Sequence, residues 1–315
     1  MRVNAFGNTS LQVSEFGLGC ARIGGVFQSN TKGFIRLLEF AYESGITFFD
    51  TADMYSQGES EALIGRVLRK KRDRIVIASK AGYALPTRRR LIARVKPLLR
   101  PVVRLLKLRR DRLPSGASGA LTQDFSPKYL TSAVEGSLRR LRTDYLDILQ
   151  LHSPPLEVVE RGEWHGALEE LKRTGKIRYY GIAVETLDAG LAALRYPGVS
   201  SIQFTLNLLE QAGAAELFPK AGAQGVGGIA RECLANGLLV KPQEEVDLKT
   251  YCRSPEQEAQ RVQQMAELRA AAKQSGRSVL ASALGYPRSV PGVSVALLGA
   301  RNVEQLSPLL NTAGA

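Results

Sequence analysis

Histidine is almost absent from this 315-residue sequence: it has two, His152 and His165. A histidine-based metal site therefore has almost nothing to build with, and no metal is expected. Cysteine is equally scarce. Cys20, Cys233 and Cys252 are odd in number and far apart, which argues against a disulfide framework and suits a reduced, cytoplasmic protein. No apolar run approaches the roughly 20 residues that span a bilayer. The start, Met1-Arg-Val-Asn-Ala-Phe-Gly7, has neither the apolar stretch nor the cleavage site of a signal peptide. Also missing is a Gly-x-Gly-x-x-Gly turn after an early strand, which counts against the alternative of an open, doubly wound nucleotide-binding sheet.

What is present is a large apolar fraction, 44% of residues, enough for a sizeable core. Val3-Asn-Ala-Phe6 and Leu11-Gln-Val13 flank the turn signal Gly7-Asn8 and predict an N-terminal β-hairpin. Short apolar runs follow at 16–20, 46–50, 75–80, 145–151, 179–184, 200–206, 226–231 and 294–299. Several are apolar on successive residues, as in strands buried on both faces of a parallel sheet. Helical patterns lie between them. Thr31 precedes a stripe of Phe34, Leu37, Leu38 and Ala41 that Gly45 stops. Ser126-Pro127 is a cap with proline at the first helical position, before Leu130, Val134, Leu138 and Leu141. A polar, Ala-rich helix is expected from Gln257 to Lys273. Eight strand–helix units predict an α/β fold, a (β/α)8 TIM barrel forming a single domain over 1–315, with its site at the carboxyl ends of the strands.

Chemistry collects at those ends. The run 46–50 ends in Asp50, and a phenol, Tyr55, follows. Ile75-Val-Ile-Ala-Ser-Lys80 ends in an ammonium and Leu146-Asp-Ile-Leu-Gln-Leu-His152 in an imidazole. Taken singly, each has an ordinary reading as a cap, a packing ring or a solvated strand end. Together they make a proton-transfer set.

Phe49-Asp-Thr-Ala-Asp-Met-Tyr55 with Ser60-Glu-Ala-Leu-Ile-Gly65, Ser79-Lys80, Asp144-Tyr-Leu-Asp-Ile-Leu-Gln-Leu-His152, Gly175-Lys-Ile-Arg-Tyr-Tyr-Gly181 and Gly299-Ala-Arg-Asn-Val-Glu-Gln305 run in an order that resembles the aldo-keto reductases. The strand-seven and C-terminal segments are most similar to the short sugar-dehydrogenase-like members. The resemblance implies hydride transfer between a nicotinamide cofactor and a carbonyl or alcohol: an aldehyde, ketone or sugar. Tyr55 would be the general acid or base, Lys80 would favour its phenolate, Asp50 would hold Lys80, and His152 would orient the substrate oxygen. A different reading of the same barrel is a cofactor-binding sensor or partner subunit with little turnover.

The resemblance also marks cofactor contacts. Gln203 would hold the nicotinamide carboxamide, unless it is an ordinary buried amide. The Ser-Asn pair that the family has at the exit of strand five reads Ala183-Val184 here, so two side-chain hydrogen bonds are absent. Gly228 to Gly237 resembles the loop that wraps the pyrophosphate, with Arg231 where the family often has a stacking aromatic, and with Leu234 and Gly237 as further contacts. Glu232 is unexpected beside a diphosphate and would pair with Arg231 or point away. Beyond Gly299, Arg301 suits an adenosine 2′-phosphate, which favours NADP(H) over NAD(H), and Gln305 suits the adenine.

The formal charge of +13 is concentrated in one place: residues 88–112 hold eleven Lys or Arg and one acid, Asp111, for a local +10. They belong to a basic insertion, 82–125, after the third barrel strand. Leu91, Val95, Leu98, Val102 and Leu106 recur at helical spacing opposite Lys96, Arg100, Arg104 and Lys107, and Pro97 and Pro101 argue for two short helices, or one starting at Pro101, in place of a continuous one. The tail after residue 310 is too short to wall a pocket, so this segment is expected to be a lid. Docking of 88–112 to a membrane surface or an acidic partner is the alternative. Nucleic acid is not expected, because interleaved aromatics are lacking.

Overall fold

Side chains alternate across a strand, so each barrel strand presents one row inward and one outward. The computed structural model, which describes residues 1–24, 31–84, 122–241, 248, 252 and 254–314, sorts the apolar rows accordingly. The hairpin β1 (Val3–Ala5) and β2 (Gln12–Ser14) comes first. The barrel strands are β3 (Phe16–Gly19), β4 (Phe48–Asp50), β5 (Val76–Ala81), β8 (Leu146–His152), β9 (Ile177–Ala183), β10 (Val199–Thr205), β11 (Gly227–Arg231) and β12 (Val293–Gly299), with a small ribbon, β6 (Tyr83–Ala84) and β7 (Thr122–Gln123), outside it. The eight barrel strands pair in parallel and in sequence order until β12 meets β3, a closed TIM barrel.

Phe48, Val76, Ala78, Ile148, Ile229, Val295 and Leu297 fill the interior together with Phe6, Leu11 and Val13 of the hairpin. Phe6 stacks on Phe48 with centroids 6.0 Å apart. The hairpin thus plugs the amino end, and Gly227 must lack a Cβ because one would lie 2.6 Å from the Phe6 ring. The alternate row, including Phe49, Ile77, Leu149, Ile182, Ile202 and Leu298, packs beneath the helices. Two residues beyond the inward Phe48, Ala78 and Ile229 stand Asp50, Lys80 and Arg231; four beyond Ile148 stands His152. The same alternation that builds the core therefore delivers the polar groups to the carboxyl end.

Helix α1 (Thr31–Glu43) buries Phe34, Leu37, Leu38 and Ala41, the expected stripe. Helix α2 (Glu59–Leu68) lies against α3 (Pro127–Leu141), whose cap Ser126 accepts the Tyr129 N–H at 3.3 Å. Their approach depends on Gly65: a Cβ there would sit 2.3 Å from the Leu141 carbonyl oxygen, and backbone cannot step aside. Gly65→Ala is expected to cost about 1–3 kcal/mol in a urea titration. At the barrel foot Asp147 is buried between Arg72 at 2.6 Å and Arg178 at 2.9 Å and accepts the Ile77 N–H at 3.0 Å.

The expected insertion begins and ends in the β6–β7 ribbon, paired antiparallel through Tyr83 and Gln123. Its helices and lid or docking role fall on residues outside the described ones. Among the described residues no helix is long and apolar enough to cross a membrane.

Candidate active site

The chain leaves β4 at Asp50 and turns sharply after Tyr55. Ser56, Gln57 and Gly58 take left-handed φ values of 50°, 62° and 87°, and α2 begins at the next residue. Such a run is costly for residues with a Cβ. It is held by the Ser56 hydroxyl, which donates to the Ile23 carbonyl at 3.0 Å. Below the turn, the Thr51 and Ser60 hydroxyls lie 2.9 Å apart and Ser60 donates to the Cys20 carbonyl at 3.0 Å.

Four of the expected side chains meet here. The Lys80 ammonium, 1% exposed, donates to Asp50 Oδ2 at 2.5 Å and to the Thr51 carbonyl at 3.1 Å. It lies 5.3 Å from the Tyr55 ring centroid. The His152 ring stands edge-on to Tyr55, with centroids 5.6 Å apart and planes at 82°. On its other side Tyr83 of the ribbon is edge-on at 4.9 Å.

Burial sets the protonation states. Desolvation raises the Tyr55 pKa above 10; Lys80 pulls it down, and Asp50 opposes Lys80. The sequence leads one to expect a phenol tipped toward phenolate, whereas the free protein holds it protonated, because burial outweighs the pull of the ammonium and Asp50 offsets part of that pull. Desolvation works against the Lys80 charge as well, but Asp50 and Tyr55 outweigh it and its pKa is raised. His152 is pushed down to about 3, first by burial and then by Lys80 and Arg231, so its ring is neutral throughout the ordinary pH range. Its Nδ1 is buried without a hydrogen-bond partner among the described residues.

The expected cofactor residues rim the same end. Gln203 is buried, and its amide nitrogen donates to Asp50 Oδ1 at 2.9 Å, so the buried-amide reading describes the free protein. Arg231 is held at its edges: it donates to Glu185 Oε2 at 2.7 Å, Glu232 Oε1 at 2.9 Å and the Val184 carbonyl at 3.2 Å. Glu232 thus pairs with its neighbour. Glu185, which the sequence reading passed over, also accepts the Ser153 hydroxyl at 2.6 Å and ties β9's exit to β8's. Leu234 is buried, and Gly237 turns at φ 100°. A Cβ on Gly237 or Gly299 would meet nothing within 4 Å, so both border open space. Arg301 is exposed and forms no ion pair among the described residues, while its N–H donates to Gln305 Oε1 at 2.9 Å and Asn302 caps the following helix, Val303–Gly314. Gln305 is therefore engaged in closing that turn.

A protonated phenol, a neutral imidazole and an ammonium–carboxylate pair, gathered at the open end of a plugged barrel, form a set that can exchange a proton with a molecule bound there. The chain belongs to the aldo/keto reductase family, whose model matches residues 15–313, and is accordingly an oxidoreductase. It is 29% identical to an uncharacterized oxidoreductase, YqkF, of Bacillus subtilis over 100% of this chain and 92% of that one. Pyridoxal 4-dehydrogenase of Microbacterium luteolum is 27% identical over 96% of this chain and 90% of its own. Among solved structures, aldo-keto reductase AKR11C1 of Bacillus halodurans in its holo form superimposes with a TM-score of 0.78 at 26% identity, covering 100% of this chain and 91% of that one.

Proposed function

We propose that the protein is an NADP(H)-dependent reductase or dehydrogenase acting on a small aldehyde, ketone or sugar, with Tyr55 as the proton donor. The observation that carries this is the meeting of Lys80, Asp50, Tyr55 and His152 at one barrel end, with the ammonium 5.3 Å from the phenol ring. A nicotinamide cofactor fits the rim unevenly. The phosphate end is supported by the open space over Gly237 and Gly299 and by the charge of Arg301, which is unpaired among the described residues. At the nicotinamide end Gln203 would offer its amide, while Ala183 and Val184 bring no side-chain donor, a loss on the order of 1 kcal/mol for each bond.

When bound, the dihydronicotinamide supplies the hydride. Everything else falls to the protein. In reduction the Tyr55 hydroxyl gives its proton to the carbonyl oxygen; Lys80 stabilises the phenolate left behind, and Asp50 holds the ammonium where it can do so. Neutral His152 donates a hydrogen bond to the same oxygen and orients it. In oxidation the steps reverse, and the phenolate takes the alcohol proton. A relative named for pyridoxal oxidation supports a small carbonyl or alcohol as substrate. The sensor reading draws on Ala183-Val184 and on the Arg231–Glu185 pair.

The test is to mix the protein with NADPH and a panel of aldehydes, ketones and sugars and to follow the nicotinamide absorbance. Turnover supports the reductase; cofactor binding without turnover on any of them supports the sensor. Arg301→Ala is expected to weaken NADPH binding by about tenfold or more, a lost charge-assisted contact of about 1.5–3 kcal/mol, and to leave NADH binding little changed in a fluorescence titration.

A further inference from the structure

Asp53, two residues before Tyr55, has no part in that scheme. Its N–H donates to the Lys80 carbonyl at 3.0 Å. Its Oδ1 is buried without a hydrogen-bond partner among the described residues. Its Oδ2 lies 3.2 Å from the Tyr129 hydroxyl oxygen, and that oxygen lies 2.8 Å from the Tyr83 carbonyl oxygen. Tyr129 has one hydroxyl proton, and both of these neighbours are acceptors while Asp53 is ionised. That single proton is then shared between two acceptors, or one contact is left as oxygen facing oxygen. Two full hydrogen bonds need a second proton, and Asp53 is the group that can carry it, because an amide carbonyl cannot.

We propose that Asp53 is a positioning residue held as a neutral carboxylic acid, donating to Tyr129 while Tyr129 donates to Tyr83, and so tying the Tyr55 turn to the ribbon that packs Tyr83 against His152. The effect on turnover rests on the proposed reductase activity; the protonation state does not. The surroundings agree with a retained proton. Glu61 faces Asp53 from α2 and adds negative charge, itself bound by Arg140 of α3 at 2.6 Å and by Ser79 of β5 at 2.6 Å. From β5 the Lys80 ammonium is engaged by Asp50. Burial, then Glu61, lift the Asp53 pKa to about 7 against the opposing pull of Arg140 and Tyr129.

The sign follows. Below pH 7 the acid is neutral and the chain of bonds is complete. Above it the carboxylate accepts the Tyr129 hydrogen bond, the Tyr83 carbonyl loses that donor, and the edge-on contact of Tyr83 with His152 loosens.

Two measurements decide the matter. Isotope-edited infrared spectra of the full chain labelled at aspartate carboxyl carbon, without cofactor, are expected to contain a protonated-carboxyl band at pH 6. That band should titrate near 7 and be missing from Asp53→Asn. No such band at pH 6, or one that survives in Asp53→Asn, overturns the proposal. In turnover, kcat/KM should fall with the neutral fraction, up to about thirtyfold at 1.5 pH units above a midpoint of about 7. In Asp53→Asn, whose amide nitrogen donates to Tyr129 at every pH, the profile should be flat, and in Tyr129→Phe it should be low throughout. Wild-type and Asp53→Asn profiles that coincide sink the positioning role. If no carbonyl is turned over at all, the proposed activity fails and the infrared band still decides the state of Asp53.

Discussion

Tyr55→Phe is expected to lower kcat/KM for carbonyl reduction by about 10²–10⁴-fold, the usual worth of a positioned acid, while the dissociation constant for NADPH stays nearly unchanged. The substitution removes one oxygen and keeps the ring, so the edge-on packing against His152 and the face offered to Lys80 survive. Loss of activity would then report the proton and not a collapsed pocket. The pH dependence sharpens the expectation. Because burial holds the phenol above its ordinary pKa of 10 in the free protein, the acid form dominates across neutral pH and Tyr55 itself adds no acid limb or neutral step to reduction. Oxidation needs the phenolate, so in Asp53→Asn, where the Asp53 step is removed, its rate should climb with pH toward that raised pKa, about tenfold per unit when the proton is rate-limiting. A variant that reduces carbonyls at the wild-type rate would assign the proton to another group.

Much of this was legible before any coordinates. All eight barrel strands lie within two residues of the predicted runs, because strands buried on both faces must be apolar almost continuously and polar residues mark where they emerge. Asp50, Lys80 and His152 were visible for the same reason: each breaks an apolar run at its exit. What escaped depends on distances between strands far apart in sequence. Nothing local says that Gln203 reaches Asp50, 153 residues away, or that Glu185 pairs with Arg231. The β6–β7 ribbon, with two residues in each strand, is too short for any periodicity. Asp53 reads as a turn residue beside its more conspicuous neighbours, and its environment is assembled from α2, α3 and the ribbon. The direction of the Tyr55 shift escaped for a related reason: adjacency to Lys80 is inferred from a motif, whereas depth of burial and neutralisation by Asp50 are properties of the closed barrel.

Lys80→Met should be the most damaging substitution to stability at the site. It removes the partner of Asp50, whose side chain is 6% exposed, and leaves a buried carboxylate facing an apolar chain, a change worth about 3–5 kcal/mol. Urea unfolding at neutral pH, followed through the buried Trp164, measures it. In the wild type the contribution of the raised Lys80 pKa is fully present below the ordinary lysine value and is lost only as pH rises through the higher folded-state value. Adding Asp50→Asn to Lys80→Met is the informative step. With both charges gone, no ion remains buried, and most of the lost stability should come back. Activity should not return with it, since the phenolate would still lack its counter-charge and Gln203 would lose the carboxylate it now holds. Recovery of stability without recovery of turnover would mean that the pair is kept for chemistry; recovery of both would mean that Tyr55 works without it.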